Sequence, residues 1–306
     1  MHFQGMNMFI FKFLLRFLAS AGTAWKWSGK TVAAVWMLAL AAWADSGPLE
    51  LPDDVPYDGV TWLCAHNAMS NSRDGWWCPN QNWNIPEQLE AGVHAQMWDV
   101  WKVDGELKLR HGNGKLFFPG SISLKDALGH VRVYLEGHPR AVVTLILESY
   151  VDNKEVRRAF EKAGMAKYCS PAPVQQKWPT LGEMRKTGRR LVVMTDRPDG
   201  EENWPMPVWK YCVETPWKAA AADRMANTLN RGLSANGLLI VNHFVSTLVP
   251  MIQNAEKTNV LKVLLGRSEV LRRLYGRRVN FWVLDFVDTG EAMEFIRKQN
   301  APGTLP

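Results

Sequence analysis

The chain has 306 residues, of which 47% are hydrophobic and 22% are charged, and its formal net charge is +6. This composition excludes a largely disordered protein and suffices for one large folded domain with a substantial core. Residues 1–44 contain four of the 36 basic side chains and no acidic ones, so the rest carries 32 basic against 30 acidic groups. The resulting net charge of +2 does not indicate a protein that binds nucleic acid.

Residues 1–44 have the layout of a secretory signal. Scattered basic residues precede an apolar run from Thr31 to Trp43, which ends in the small-x-small triplet Ala42-Trp43-Ala44. This pattern predicts cleavage after Ala44 and a secreted or periplasmic chain made of residues 45–306. Because residues 8–18 are also largely apolar, an uncleaved N-terminal anchor is the alternative.

The four cysteines leave two interpretations open. In an exported chain they are able to form up to two disulfides, for example Cys64 with Cys78 and Cys169 with Cys212. The alternative is four buried thiols. The sequence has no Cys-x-x-Cys pattern, so it does not indicate a zinc site or a thiol redox motif.

Hydrophobic segments with strand and helix spacing alternate through most of the chain. Predicted strands lie at 60–65, 93–98, 107–110, 142–147, 191–194, 238–241 and 281–284, the third as the return strand of a hairpin through Asp104-Gly105. Predicted helices lie at 85–91, 123–135, 154–163, 181–186, 219–229 and, with interruptions, 247–275. Such alternation predicts a single α/β domain with a parallel sheet.

Polar side chains end these predicted strands. In chain order they are His66 and Asn67, Asp99, His111, Glu148, Asp196, Asn242 and His243, and Asp285. Polar groups at the C-terminal ends of successive parallel strands are what the active site of a (β/α) TIM barrel requires. For each of these residues taken alone, the alternative to a role in the active site is a structural hydrogen bond.

Two chemical groupings stand out among these residues. His66 and His111 are imidazoles able to act as base and acid in one reaction, as in-line attack on a phosphodiester requires. Asn67, Asp99 and Glu148 offer three oxygen ligands, which suit a hard cation such as Ca²⁺. The sequence therefore predicts acid–base chemistry on a phosphate ester, assisted by calcium.

Several motifs resemble, in order, the X domain of phosphatidylinositol-specific phospholipase C, over about residues 57–290. They are Ala65-His66-Asn67-Ala68-Met69-Ser70, Pro79-Asn80-Gln81, Gln88-Leu89, Gly92-Val93, Asp99, Arg110-His111-Gly112, Val142 to Glu148, Trp178 to Met184, Leu191-Val192-Val193, Asn242-His243-Phe244 and Asp285-Phe286. The resemblance is greatest to the bacterial, secreted branch of the family. It implies a somewhat distorted barrel.

The resemblance also implies roles for single residues. His66 and His111 match the two family histidines, and Asp285 is similar to a late aspartate that orients the first of them in metal-free relatives. Asn67, Asp99 and Glu148 match the calcium ligands of the metal-dependent members. The chain departs from these members at Met97, where they carry a further carboxylate, and at His94, where many relatives have arginine. With three ligands instead of four, the predicted calcium affinity is weak.

The predicted function is cleavage of a phospholipid, phosphatidylinositol by resemblance, at the glycerol side of phosphate through a cyclic inositol phosphate. One alternative is a phosphodiesterase acting on another phospholipid or on a glycerol phosphodiester. The other is a barrel that binds a lipid or sugar phosphate without turnover. The predicted protein is a monomer that contacts a membrane surface transiently.

Two further sets of residues are candidates for contact with substrate and membrane. Lys115, Arg197 and Arg231 are basic candidates for binding the phosphate, although most such side chains are simply solvated. Trp76 and Trp77, in the loop after the first strand, are candidates for insertion into the headgroup region of a bilayer if their rings are exposed. The alternative for this pair is packing beneath the loop as a small hydrophobic cluster.

Overall fold

A ten-stranded sheet forms the centre of the protein. The computed structural model describes residues 50–112, 119–175, 177–198 and 204–304, which belong to one compact unit. The predicted signal segment, residues 1–44, lies outside them. The strands are β1 (Trp62–Ala65), β2 (Ala95–Val103), β3 (Glu106–Leu109), β4 (Ile122–Ser123), β5 (Val143–Ser149), β6 (Leu191–Thr195), β7 (Met206–Pro207), β8 (Cys212–Glu214), β9 (Leu238–Asn242) and β10 (Phe281–Leu284).

Eight strands pair in parallel in the order β7-β6-β5-β2-β1-β10-β9-β8. The hairpin strand β3 pairs antiparallel with β2 and with β4. Neighbours along the chain are thus neighbours around the sheet, as in a (β/α) barrel. Within the described residues no ladder joins β7 to β8, so the barrel has one open seam and is distorted as predicted.

Eight helices are present in the described part of the chain. They are α1 (Ile85–Glu90), α2 (Leu124–Gly137), α3 (Asn153–Lys162), α4 (Leu181–Thr187), α5 (Val208–Tyr211), α6 (Ile252–Thr258), α7 (Leu261–Tyr275) and α8 (Ala292–Gln299). Local sequence fixes several of their ends. Capping boxes formed by Asn84 with Glu87 and by Thr180 with Glu183 start α1 and α4, since each pair satisfies two backbone N–H groups.

The helix predicted at 219–229 is wrong. Only a short 3₁₀ turn, Ala222–Arg224, forms there. Hydrogen bonds from α7 hold the rest of the segment: Arg267 donates to the carbonyl of Ala226, and the Tyr275 hydroxyl donates to the carbonyl of Asn227. These tertiary contacts override the helix propensity of the alanine-rich sequence.

Side chains on successive strand positions divide the core into two layers. In β1, Trp62 and Cys64 belong to an inner cluster, whereas Leu63 and Ala65 pack outward against the helices. In β10, Phe281 and Val283 face inward in the same way. The two-residue period of a strand is the cause. The inner cluster fills the barrel below the cleft described next.

The cysteines are free thiols in the structure. The disulfide interpretation is therefore contradicted, and Cys64, Cys169 and Cys212 fit the alternative because all three are buried. Cys78 is partly exposed. Burial raises the pKa of the Cys169 thiol to about 12, so this group is a packing side chain and has little thiolate character.

Candidate active site

The inward-facing positions of the strands become polar at the C-terminal end of the barrel. Cys64 and Val283 face inward at the ends of β1 and β10. Since every second residue faces the same side, the next inward positions are His66 and Asp285. The polar residues that line one common cleft in this way are His66, Asp99, Glu148, Asp196, Glu214, Asn242 and Asp285. The cleft has a volume of about 470 Å³, which is sufficient for a lipid headgroup.

His66 is held from two sides. Its Nδ1 lies 2.8 Å from Asp285 Oδ1, and its ring stacks on Phe244 with centroids 3.9 Å apart and an interplanar angle of 12°. Burial lowers the pKa of His66, but the Asp285 carboxylate and, less strongly, Asp99 and Glu148 outweigh burial, so the pKa lies above the ordinary value. The site thus strengthens His66 as a base.

His111 follows β3 and enters the same cleft. Its Nδ1 lies 3.2 Å from Asp99 Oδ2. The hairpin explains this approach, because β3 runs back along β2 and the backbone N–H of Arg110 donates to the carbonyl of Asp99. Both histidines therefore use Nδ1 to contact a carboxylate, and Nε2 is the nitrogen in each that would exchange a proton with a substrate.

Asp99 and Glu148 are direct neighbours across the β2–β5 ladder. Burial raises the pKa of Asp99 to about 6, with Glu148 adding to the effect and His111 opposing it. The hydroxyl of Tyr150 donates to Glu148 Oε1. Asp99 is buried and Glu148 is exposed, and the two carboxylates repel each other when both are ionised.

The wall that includes β8 carries an ion pair. Arg231 Nε donates to Glu214 Oε1 over 2.6 Å, and its guanidinium lies 4.3 Å from the centroid of the Trp209 ring. Asn242 Nδ2 donates to the second oxygen of Glu214 over 3.1 Å. Of the three basic residues predicted to contact substrate, Arg231 is the one that the described structure places in the cleft.

Other predicted residues lie elsewhere. Arg197 is 3.6 Å from Asp152 and is absent from the cleft lining, and Lys115 is outside the described residues. His243 faces away from the cleft because it follows Asn242 by one strand position, and its Nε2 lies 3.0 Å from the carbonyl of Thr258. Alternation alone predicts this outward position.

His94 and Trp76 both lie outside the cleft lining. The imidazole of His94 contacts the Tyr134 hydroxyl at 2.7 Å and does not line the cleft. Trp76 is buried and packs on Gly120, where a Cβ atom would come within 2.4 Å of the indole. Trp76 therefore fits the packing alternative and is not available for membrane insertion in this structure, whereas Trp77 is 58% exposed.

Five residues of the site carry no role in the sequence prediction: Asn80, Tyr150, Trp209, Glu214 and Phe244. Glu214 ends a strand of only three residues inside a stretch rich in tryptophan and proline. This stretch shows neither the hydrophobic period of a helix nor that of a strand, so the sequence does not predict the strand. Asn80 and Phe244 lie in motifs of the resemblance. Their contacts depend on loop conformation, which periodicity does not predict.

The described residues match neither the side-chain arrangement of a metal site nor the length of a membrane-spanning helix. In that part of the chain, no group of three or more histidine, cysteine, aspartate and glutamate side chains is arranged to hold a metal ion. No helix among these residues is long and apolar enough to cross a membrane. Besides Asp99 and Glu148, the cleft lining includes the amide side chain of Asn67.

Comparison with known proteins identifies the family. The family model for the PI-PLC X domain matches residues 54–300. The chain belongs to the PI-PLC X domain family. Among PI-PLC X relatives, a PI-PLC X domain-containing protein of Arabidopsis thaliana is 26% identical over 284 residues, and PI-PLC X domain-containing protein 1 of Arthroderma benhamiae is 29% identical over 241 residues.

The alignments cover different shares of each protein. They include 84% of this chain and 65% of the Arabidopsis protein, and 72% of this chain and 78% of the Arthroderma protein. The chain thus spans slightly less than two thirds of the Arabidopsis relative. A third relative, 26% identical over 53% of this chain and 38% of its own length, is named an uncharacterized secreted protein of Arthroderma benhamiae.

Solved structures support the same fold. The phosphatidylinositol-specific phospholipase C of Listeria monocytogenes superposes with a TM-score of 0.55 at 14% identity, covering 82% of this chain and 96% of that one. The Staphylococcus aureus enzyme superposes with a TM-score of 0.57 at 13% identity, covering 81% and 94%. Family and fold together support a phosphodiesterase-like function of the phospholipase C type.

Proposed function

We propose that this PI-PLC X domain cleaves phosphatidylinositol on the glycerol side of phosphate. The inositol 2-hydroxyl attacks phosphorus, the bond to the glycerol oxygen breaks, and the products are diacylglycerol and a cyclic inositol phosphate. The observation that carries the proposal is the presence in one cleft of two imidazoles, each in contact with its own carboxylate through Nδ1.

The two histidines divide the proton transfers. His66 accepts the proton of the attacking hydroxyl at Nε2, and Asp285 stabilises the imidazolium that forms. His111 donates a proton to the leaving glycerol oxygen, and Asp99 stabilises its charged form before transfer. Each such acid–base group contributes about 10²–10⁴-fold in rate.

Asp99, Glu148 and Asn67 line the cleft and are the residues that would hold a calcium ion. One oxygen of Asp99 contacts His111 and one oxygen of Glu148 accepts from Tyr150, and within the described part of the chain the second oxygen of each carboxylate has no such contact. A bound calcium ion would offset the charge of the phosphate. Met97 lines the cleft without offering an oxygen, so three protein ligands give weak affinity.

The headgroup and the lipid would contact different surfaces. Glu214 and Arg231, with Trp209 beneath the guanidinium, offer an acceptor and donors to the hydroxyls of the headgroup. Trp217 and Leu248 line the cleft and are 41% and 74% exposed, and Met251, three residues beyond Leu248, is 48% exposed. These apolar side chains at the mouth would contact the bilayer in place of Trp76.

The decisive experiment measures diacylglycerol release from a panel of phospholipids with calcium and with chelator. Phosphatidylinositol should be the best substrate, and His66→Ala or His111→Ala should remove nearly all activity without changing the melting temperature. Turnover of another phospholipid only would support the first alternative. No turnover, with retained binding of lipid or inositol phosphate, would support a binding barrel.

Membrane contact is tested with Leu248→Ser/Met251→Ser. The double variant should bind vesicles more weakly and act more slowly on them, while turnover of a soluble short-chain substrate stays unchanged. Val133→Ser removes an apolar side chain that is 66% exposed on α2 and does not line the cleft, and is the control. Equal losses on vesicles and on soluble substrate would show that the rim serves catalysis and does not bind lipid.

A further inference from the structure

Asn80 connects the two loops that carry the proposed catalytic and metal-binding residues. Its backbone N–H donates to the carbonyl of Ser70 over 3.0 Å, in the loop after β1. Its carbonyl accepts from the backbone N–H of Phe286 over 2.8 Å, in the loop after β10. The side chain is 2% exposed and lines the cleft. Its amide thus lies between Asp285 and Asn67.

The hydrogen bonds of this amide have a fixed direction. Asn80 Nδ2 donates to Asp285 Oδ1 over 3.0 Å, the same oxygen that contacts His66 Nδ1. A carboxylate only accepts hydrogen bonds, so Asn80 must turn its nitrogen toward Asp285 and its oxygen away. That oxygen accepts from Asn67 Nδ2 over 3.4 Å. The charge of Asp285 therefore sets the orientation of both amides.

We propose that Asn80 is a positioning residue that makes Asn67 present its oxygen, and not its NH₂ group, to the cleft. An amide oxygen at this place binds a cation, whereas an NH₂ group there would bind a phosphate oxygen directly. Asn80 thereby selects the kind of ligand that this corner accepts. This inference rests on the calcium site of the proposed function and extends it by one residue.

Calcium titration of the purified protein by calorimetry tests the inference without reference to turnover. Asn80→Leu removes the amide at similar volume and should lower calcium affinity about 10–100-fold, as loss of a partner that orients a ligand typically does. Asn80→Ala is the second variant if the leucine variant does not fold.

Asn82 provides a matched control in the same loop. Its Nδ2 donates to both carboxylate oxygens of Asp288, at 3.2 and 3.0 Å, so it also links the loops after β1 and β10 but lies outside the cleft lining. Asn82→Leu should keep the wild-type calcium affinity. If Asn80→Leu and Asn82→Leu have equal affinities, Asn80 only connects the loops and the inference is wrong.

A double-mutant comparison with Asn67→Ala completes the test. If Asn80 acts through Asn67, its loss should cost little further affinity once Asn67 is alanine. Full additivity would contradict the inference. A wild-type protein that binds no calcium would refute both the metal site and this role of Asn80. A wild-type protein that binds calcium but cleaves no phospholipid would refute only the enzyme function, and the affinity comparison would still decide the role of Asn80.

Discussion

We expect acid to destabilise the folded protein through the buried residue His243. Burial, with the guanidinium of Arg267 adding to it, lowers the pKa of His243 to about 3. The contacts explain this value: Nε2 lies 3.0 Å from the carbonyl of Thr258, and Nδ1 lies 3.0 Å from Arg267 Nη1. The neutral ring donates to the carbonyl and accepts from Arg267, so a second proton would face a positive charge.

The magnitude follows from proton linkage. Above the ordinary pKa of 6.5, the His243 ring is neutral in both states and contributes no pH dependence. Below it, the unfolded chain binds a proton that the folded chain excludes, so the free energy of unfolding falls as the pH falls. Between pH 7.5 and pH 5 the loss from this residue is about 2 kcal/mol. Because pH 5 is above the folded-state pKa, the loss of about 2 kcal/mol depends only on the ordinary pKa of 6.5 that histidine has in the unfolded chain.

Denaturant unfolding of wild type and His243→Gln at the two pH values provides the measurement. The variant should lose about 2 kcal/mol less between pH 7.5 and pH 5 than the wild type does, whatever its stability at neutral pH. His138→Gln, which changes a half-exposed imidazole, is the matched control. An equal pH dependence in wild type and His243→Gln would show that the folded protein protonates His243 readily and that the burial argument is wrong.

Three further predictions concern the site and the chain terminus. Asp285→Asn should lower turnover about 10²–10⁴-fold. Because Asp99 and Glu148 then oppose the effect of burial without Asp285, the pKa of His66 should fall and the acid limb of the pH–rate profile should shift to lower pH, whereas Asp288→Asn should change neither turnover nor profile. Gly120→Ala should lower the melting temperature, since the added Cβ meets the Trp76 indole at 2.4 Å; an unchanged melting temperature would show that Trp76 moves freely. N-terminal sequencing of protein from the native host should begin at Asp45, and a mature chain that retains Lys26 would favour the membrane anchor.

The sequence predicts the strand-end part of the site because one rule generates it. Inward positions alternate along each strand, and the first polar inward residue past the apolar ones faces the cleft, as for His66, Glu148 and Asp285. The same rule explains the exceptions. His243 is one position out of phase with Asn242 and therefore lies behind the sheet. The inward or outward phase of a strand-end residue therefore predicts whether it lines the cleft better than its polarity alone does.

Contacts between loops are not predictable in this way. Trp76 and Trp77 are adjacent and chemically identical, yet one is buried and the other is 58% exposed. The difference depends on Gly120, which has no side chain, has a φ of 135° and leaves space for the Trp76 ring. That partner lies more than forty residues away in the sequence, and no local periodicity relates the two. Asn80 escapes prediction for the same reason.

The balance of charge in the cleft supports the proposal of a cation at this site. Asp285, Asp99 and Glu214 each contact a partner that is or can become positive: His66, His111 and Arg231 respectively. Within the described residues Glu148 and Asp196 form no ion pair, although both line the cleft. Burial, with repulsion from Glu148 adding to it, raises the pKa of Asp196. An anionic phosphodiester would add a third negative charge. A divalent ion beside Asp99 and Glu148 would offset two of these charges. Calcium should therefore lower the KM for the anionic lipid by a larger factor than it lowers the Kd for a neutral headgroup such as free inositol.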